Sequence, residues 1–591
     1  MEKKIVSDTF LSFLFPTLAS SVTLSVLSMT DLVIAGQFVG ENALTAISLS
    51  LPLTIFIQIM NALFGTGGAI ALSARLGEGD FSACNQIFTV MLGGSFLLGI
   101  AVSLPGFFFL RPLIRLSGGT SPEVIALATD YMMILLAGLP FMILAPVMMT
   151  CLRNDNEQKY TMVCVVSSSL FNIIFSVLFA SSLGVAGIAL ATVMAQILSC
   201  ILGSLRLFRK RRMFHLTRCR ITPSLLLSVV RPGLPLAAVF CSQTVLTILV
   251  NRELSAEGGS QAVAVYAVIK YLINFMYALF DGVTGAMQPM LGIYYGECEK
   301  SNVLHTVRCA AAGLLAASCL MMLVMEFFGG PVCRLFGIEN GFLQELTQKA
   351  MRIQGISCIS SGMITCLNTF YRCTGNEKIS FFISLADNLI CPALSITLCT
   401  QIFSLGADGI WWGLAGSSLF VFFGWILLCL FRRKGFLFLQ EERFVRPENE
   451  FHRICQASRR QLPSLLADVE VYCSQLCLPA KKQYYISLVI EELVVNVIGL
   501  AQSHGVLSGR KSYYVDLRIT PKDQQEISLR IRDNLTEFNP QEHASWDIRS
   551  LDPEQAGSPV NALGIGLVMK VSRNCSYKRT IGFNNFSITL P

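Results

Sequence analysis

Up to about residue 440 the chain is a series of long apolar runs separated by short polar breaks. A helix needs about 20 apolar residues to cross a bilayer core roughly 30 Å thick. Such runs fall at approximately 10–35, 44–72, 86–110, 124–150, 160–182, 185–208, 224–250, 262–294, 304–328, 345–371, 379–403 and 408–431. The pattern predicts an all-α polytopic membrane protein of twelve helices. Beyond residue 440 the period changes. Residues 483–501 repeat as an amphipathic helix, while 513–519 and 526–532 alternate as strands. A segment rich in Gly, Pro and Ser, 552–561, precedes a second helix and a last strand at 587–590. The tail reads as a soluble α+β sandwich.

The apolar part repeats itself. Placing Pro16 on Pro235 sets an offset of 235 − 16 = 219, and the same offset pairs Gly40 with Gly259, Ala43 with Ala262, Leu53 with Leu272, Phe56 with Phe275, Gly77 with Gly296 and Glu78 with Glu297. With small shifts Asn156-Glu157 resembles Asn376-Glu377, and Gly184-Val-Ala-Gly187-Ile resembles Gly406-Ala-Asp-Gly409-Ile. Two six-helix halves are expected, 1–219 and 220–440, followed by a domain at 450–591. The first run follows Lys3 and Lys4 and has a weak cleavage site at 18–20, as in a secretory signal. Its counterpart deep in the chain argues that it is a retained structural helix. Two tandem halves with the same starting orientation are related by an axis along the membrane normal, as in rocking secondary transporters, with a binding cavity between them.

Charge sharpens the division. Of 45 Lys+Arg and 38 Asp+Glu, 27 and 21 lie in residues 1–440, leaving 45 − 27 = 18 and 38 − 21 = 17 in the tail. With 53% apolar residues and a mean hydropathy of +0.59 over the whole chain, most of its length cannot be a soluble enzyme, a disordered chain or a nucleic-acid binder. No basic tract in the tail points to nucleic acid either. Basic residues mark the cytoplasmic side of short loops. Arg206, Arg209, Lys210, Arg211, Arg212, Arg218 and Arg220 join the halves, and Arg432-Arg433-Lys434 follow the last run. The alternate loops near 40–42, 181–185 and 404–408 carry no Lys or Arg. Both termini and the tail are therefore expected in the cytoplasm of a multi-pass plasma-membrane protein. Of 20 cysteines, 16 are scattered through the apolar part and read as buried free thiols. Cys473 and Cys477 lack a second pair of ligands, so no zinc site is expected.

Two motifs give the apolar part a resemblance: Met29-Thr-Asp31-Leu-Val-Ile-Ala-Gly36-Gln-Phe, and Gln288-Pro289-Met-Leu-Gly292-Ile-Tyr-Tyr-Gly296. With the six-plus-six repeat they resemble the multidrug and toxic compound extrusion (MATE) family over about residues 5–435. The resemblance implies efflux of organic cations or other toxic compounds, driven by inward movement of Na⁺ or H⁺. Coupling should involve intramembrane carboxylates, which are costly unless they face a wet cavity or a cation. Asp31, Asp281 and Asp387 lie well inside the runs; Glu253 and Glu326 lie near the outer ends. Under the offset Asp31 faces Val250, Asp281 faces Ala62 and Glu253 faces Ile34, so the scaffold reads as duplicated but its charges do not. An acid at the position of Asp31 is a coupling residue in the family pattern, binding Na⁺ or a proton. The bland alternative is an Asp satisfied by the hydroxyls of Ser28 and Thr30. Asp281 is a candidate for attracting cationic substrate or for a structural hydrogen bond. Asp387, with Asn388 and Asn172, is a candidate polar lining, although membrane Asn serves equally as interhelical glue. Lys270 should pair with an acid or snorkel to the surface. Most of the 21 Met and 40 Phe are filler, and some would suit aromatic cations.

In the tail, Glu491-Glu492-Leu-Val-Val-Asn496, Asp533-Asn534-Leu-Thr-Glu-Phe538-Asn-Pro540 and Gly564-Ile-Gly566-Leu567 are similar to the motifs of the GHKL nucleotide-binding fold, closest to anti-sigma-factor serine kinases. The resemblance implies that Asn496 binds Mg²⁺, that Glu492 positions the reacting group as the catalytic residue, that Asp533 accepts the adenine amino group, and that Gly564 and Gly566 hold ATP phosphates at a helix start. Leu535 departs from the pattern, which has Gly there; a side chain at a close approach or at positive φ would be strained. His504 reads as a surface group. Three readings compete: an antiporter whose tail senses nucleotide or binds a cytoplasmic protein, a membrane-tethered serine kinase, and a lipid-precursor flippase. Few cavity-facing Arg and Lys are expected, and that disfavours the flippase.

Overall fold

The computed structural model describes residues 2–39, 41–116, 122–208, 214–218, 220, 222–335, 341–403, 405–431, 444, 450–508, 513–521, 526–543 and 562–591. The chain divides into two compact units: Val6–Gln440, and Glu441–Pro591 together with Met1–Ile5. The basic cluster at 209–213 and the segment 552–561 lie outside the described residues.

The first unit is helical throughout. Its main helices are α1 (Lys3–Phe38), α2 (Leu51–Glu78), α3 (Phe81–Ile114), α4 (Pro122–Asn154), α5 (Gln158–Leu183), α6 (Val185–Leu207), α7 (Pro223–Leu254), α8 (265–296), α9 (Lys300–Phe327), α10 (Gly341–Gly355), α11 (Cys358–Cys373), α12 (Glu377–Ile402) and α13 (Asp408–Phe431). Among the described residues, 11 helices are long and apolar enough to cross a membrane, and one of them, Ala480–Gln502, belongs to the second unit. The apolar runs at 262–294 and 345–371 are not among them. The run at 345–371 is divided into α10 and α11. The run at 262–294 follows α7 within one helical element, Leu234–Gly296. Lys270 Nζ nevertheless donates to Thr247 Oγ1 at 2.7 Å. Residues 23 apart would be separated by about 35 Å along a straight helix, so this element doubles back and lays α8 beside α7.

The repeat is visible as contact. A Cβ on Gly77 would lie 2.2 Å from the Ile293 carbonyl oxygen, and one on Gly296 would lie 2.3 Å from that of Ala74. Under the offset of 219, Gly77 matches Gly296 and Ala74 matches Ile293. The same offset matches Ser73 with Gly292, whose Cβ would meet Ser73 Oγ at 2.0 Å. Reciprocal contact between equivalent residues is what a two-fold relation imposes, so α2 and α8 cross on the pseudo-axis between the halves. Only glycine permits backbones this close.

The second unit is a five-stranded antiparallel sheet in the order β1-β2-β3-β5-β4, with β1 Phe451–Gln456, β2 Tyr514–Pro521, β3 Ile527–Asp533, β4 Asn574–Thr580 and β5 Phe583–Leu590. Alternate residues Val515, Leu517, Ile519, Leu529, Ile531, Phe586 and Ile588 form one buried face. It is covered by α14 (Leu462–Gln475), α15 (Ala480–Ser508) and α16 (Ala562–Val571) through Leu465, Val469, Ile486, Ile490, Leu493, Val497 and Val568. The apolar character of α15 is thus explained by a sheet rather than by lipid. The opposite face is charged. Asp516 is the cross-strand partner of Arg532, and Arg518 that of Arg530. His452 Nε2 lies 2.8 Å from Asp516 Oδ1. Burial pushes the Asp516 carboxyl up, but the His452 hydrogen bond and the three arginines outweigh it and hold the group well below the usual carboxylate range.

Candidate functional site

Asp31 lies on α1, one turn before the buried Ile34 and Ala35. Those two share an apolar cluster with Tyr131, Leu135, Leu139, Ala180 and Val185 of the first half. Tyr131 is close enough to feel the Asp31 charge. The alternative partners are turned elsewhere: Ser28 Oγ donates to the Leu24 carbonyl at 3.0 Å and Thr30 Oγ1 to that of Val26 at 2.9 Å, each within its own helix. Asp31 Oδ1 is buried with no hydrogen-bond partner. A carboxylate oxygen so placed is costly to leave bare, and a proton or a cation stripped of water would satisfy it.

Asp281 sits at the junction of the halves. One residue on, Gly282 abuts α1, where a Cβ would lie 2.7 Å from the Leu18 Cα; one turn on, a Cβ on Gly285 would face Arg153 and Thr17, each at 3.6 Å. Two guanidiniums act on the Asp281 charge, Arg372 from α11 and Arg153 from α4. Asp281 is itself exposed, on the stretch of α8 that packs against α1 and α4. The arginines were missed in the sequence. They are repeat mates, since 372 − 153 = 219, and they correct two expectations. Buried charge is duplicated, as a basic pair, and the interior is not poor in arginine.

Asp387 is buried on α12 beside Ser418, in a π-helical turn at Ala386–Ile390. Its Oδ1 has no hydrogen-bond partner. Tyr277 lies within electrostatic reach of both Asp387 and Asp281, so the structure groups these two acids around one phenol and leaves Asp31 in the first half. Asn388 accepts from Gln243 at 3.4 Å and donates to the Ser384 carbonyl at 3.1 Å. Asn172 donates to Thr192 Oγ1 at 3.2 Å and accepts from Ser176 at 3.1 Å, which makes it glue between α5 and α6. Lys270 bonds Thr247 rather than an acid. Glu326, expected near an outer end, pairs with Arg352 at 3.5 Å. Among the described residues no group of His, Cys, Asp or Glu could hold a metal ion.

In the second unit Asp533 ends β3 and is buried. Its Oδ1 accepts the Leu535 amide at 2.9 Å and Asn584 Nδ2 at 2.8 Å. Burial pushes its carboxyl up to about 6 in spite of these bonds and of Arg579. Asn584 on β5 has no counterpart in the motif reading. Leu535 is not at positive φ, and its side chain is 2% exposed within the core, so the expected backbone strain is absent. Asn496 is buried and gives its Nδ2 to the Glu492 carbonyl at 2.7 Å. Gly564 lies in the first turn of α16 and Gly566 in the second. The side chain of His504 lies outside the described residues.

The MatE family model matches the chain twice, over residues 16–178 and 235–397, starts again separated by 235 − 16 = 219. Multidrug export protein MepA of Staphylococcus haemolyticus is 22% identical over 427 residues, covering 70% of this chain and 91% of that protein. MepA of Staphylococcus aureus is 21% identical over 424 residues, with the same coverage of 70% and 91%. A solved structure described as the outward-facing conformation of a multidrug resistance MATE family transporter of the MOP superfamily superposes with a TM-score of 0.67 at 19% identity, covering 72% of this chain and 96% of the other. A MOP superfamily transporter from Pyrococcus furiosus, described as having a binding pocket of reverse polarity, gives 0.66 at 20% identity with coverage of 72% and 96%. At these identities the superpositions establish the fold.

Proposed function

This chain belongs to the MatE family, and on that premise we propose that it is an antiporter of the cell membrane that exports small organic or toxic compounds in exchange for Na⁺ or H⁺. Twelve spans with cytoplasmic termini complete the reading, and the halves would rock about the Gly77–Gly296 crossing. The curated relatives are multidrug exporters by name. The observation that carries the coupling is the buried, unpartnered Asp31 Oδ1. An inward-moving ion would neutralise it and allow α1 to repack, which would lower the affinity for cargo. In proteoliposomes loaded with a fluorescent organic cation, Asp31→Asn should cut gradient-driven efflux by about tenfold or more, the loss of one charge interaction of roughly 1.4 kcal/mol. Efflux at the parent rate under both Na⁺ and pH gradients would remove Asp31 from the mechanism.

For the second unit the reading is a GHKL-type regulatory domain that binds ATP and Mg²⁺ and passes the nucleotide state to a cytoplasmic partner. The residues fit such a ligand. Asn496 stands buried on α15 one turn after Glu492, and Asp533 keeps Oδ2 for an adenine amino group because Oδ1 takes both protein donors. The antiport reading makes transport independent of ATP hydrolysis, so Glu492→Ala should leave efflux within about twofold of the parent, as for a change independent of the coupling residues. Abolished efflux would favour a nucleotide-driven process. A tethered serine kinase remains the alternative for this unit. The lipid-precursor flippase regains ground from Arg153 and Arg372, which supply the interior positive charge it would need.

A further inference from the structure

We propose that Cys309, with His305 beside it and Ser7 across from it, is a thiol-modification site that reacts with low-molecular-weight disulfides and, once modified, parts α1 from α9. His305 and Cys309 stand four residues apart near the start of α9, on one face of that helix. Ser7 stands near the start of α1. Ser7 Oγ lies 2.9 Å from His305 Nε2 and 3.6 Å from Cys309 Sγ, and that sulfur lies 3.8 Å from the same nitrogen. The three side chains therefore close a triangle between a helix of the first half and a helix of the second. The repeat does not require it. Under the offset of 219 the equivalents of Ser7, His305 and Cys309 are Leu226, Gln86 and Val90, which supply neither a thiol nor an imidazole. All three members are partly exposed, whereas their neighbours Val6, Phe10, Val303, Thr306 and Ala310 are buried, so the triangle lies at the rim of the packing. Ser7 is one turn from the exposed Lys3 and Lys4, whose ammonium groups keep this end of α1 at the water boundary. Reagents carried in water reach it there.

The thiolate, not the thiol, is the nucleophile, so a reactive cysteine needs an acceptor for its proton. With the ring proton on Nδ1, His305 Nε2 can accept from the thiol and from the Ser7 hydroxyl. Cys309 Sγ attacks one sulfur of the disulfide, the new S–S bond forms as that of the reagent breaks, and the thiol proton passes through Nε2 to the departing thiolate. The products are a mixed disulfide on Cys309 and one free thiol, and the disulfide is itself the oxidant. The incoming sulfur would sit at about 2.0 Å from Sγ with its substituent beyond, where Ser7 and His305 already close the space. Modification thus removes the thiol hydrogen from Nε2 and displaces Ser7 from the ring. The displaced helix is the one that carries Asp31, so its effect on efflux rests on the export reading, while the modification itself does not. A thiol serving only as a small apolar side chain would be enclosed, as Cys84, Cys151 and Cys373 are; Cys309 is not.

The test uses the full-length protein in nanodiscs, glutathione disulfide as the probe and peptide mass mapping as the readout. Cys298 is the internal reference. It is partly exposed just before α9, and its sulfur faces the Gly296 carbonyl at 3.9 Å rather than an imidazole. Cys309 should take up the glutathione adduct at least about tenfold faster than Cys298, and His305→Gln should remove that advantage while leaving Cys298 unchanged, as for the loss of a general base. In proteoliposomes, glutathione disulfide should abolish most of the parent's dye efflux, dithiothreitol should restore it, and Cys309→Ser should respond to neither. Equal rates at Cys309 and Cys298, or the parent rate at Cys309 in His305→Gln, would overturn the site. Should His305→Gln fail to fold, the comparison of the two cysteines within the parent decides alone. Complete modification of Cys309 with unchanged efflux would overturn the parting of α1 from α9. A parent that takes the adduct at Cys309 but moves no dye under a Na⁺ or pH gradient would sink the export reading and leave the thiol site standing.

Discussion

Replacing Gly77 by alanine should bring efflux close to background, and Gly296→Ala should do the same. The reason is that each clash is with backbone. A methyl at residue 77 would sit 2.2 Å from the Ile293 carbonyl oxygen and 2.9 Å from the Gly296 Cα; a methyl at residue 296 would sit 2.3 Å from the Ala74 carbonyl oxygen. No rotamer change relieves either contact, so α2 and α8 must separate along their crossing. Overpacking of this kind costs about 1–3 kcal/mol. In a single rigid fold that would be a modest stability loss. In a carrier that alternates between two arrangements of its halves, a penalty on one arrangement alone shifts their populations by about tenfold for every 1.4 kcal/mol, and turnover requires both. Gly93→Ala is the control, because a Cβ there meets nothing within 4 Å, and it should transport like the parent. A membrane-impermeant maleimide should label Ala74→Cys slowly in the parent background and quickly when Gly77→Ala is added. Parent rates of both efflux and labelling in the glycine variants would show that the crossing does not seal one side of the cycle.

That crossing was legible in the sequence as an aligned pair, Gly77 with Gly296, but its meaning was not. Periodicity and offset say which residues are equivalent, and only packing says which equivalents touch. Arg153 and Arg372 make the same point from the other side. The offset of 219 contained them, but they stand near the ends of apolar runs, where a basic residue ordinarily marks a loop or a snorkelling side chain. Their place at the seam depends on where α4 and α11 end relative to α8, which hydropathy does not encode. The reading of Asp31 against Ser28 and Thr30 turned on hydrogen bonds that each hydroxyl makes to its own helix, also invisible in composition. In the tail the central strands β2 and β3 were found by alternation, whereas β1 and β4 were missed. Both are edge strands. An edge strand is less buried and carries more polar side chains, as Asn574-Cys-Ser-Tyr-Lys-Arg-Thr580 does. Leu535 was read as a misfit because the motif wants glycine, but at an ordinary φ its side chain contributes to the core.

Asp533→Asn is expected to separate stability from function in the second unit: more stable at neutral pH, and without nucleotide binding. Asp533 is buried and its carboxyl is raised from 3.8 to about 6. The folded state therefore holds this proton more tightly than the unfolded chain does. That contribution is fully present below pH 3.8 and is lost as pH rises through about 6, so at pH 7 the ionised group opposes folding. A shift of about two units corresponds to on the order of 3 kcal/mol. Asparagine removes the charge and keeps Oδ1 to accept the Leu535 amide and Asn584 Nδ2. Melting of a 441–591 fragment should show Asn ahead of Asp by several degrees at pH 7, with the gap closing towards pH 4 as Asp533 itself becomes protonated. Nucleotide binding should move the opposite way, because an amide whose Oδ1 is already engaged presents Nδ2, a donor, towards the adenine amino group, which is also a donor. ATP with Mg²⁺ should stabilise the parent fragment and leave the variant unmoved. A variant that melts below the parent at pH 7 would mean that the carboxylate is held by contacts stronger than its burial penalty. A variant that still binds ATP would place adenine elsewhere. A carboxylate at a position where an amide is the more stable choice is the pattern expected when that oxygen is kept for a ligand.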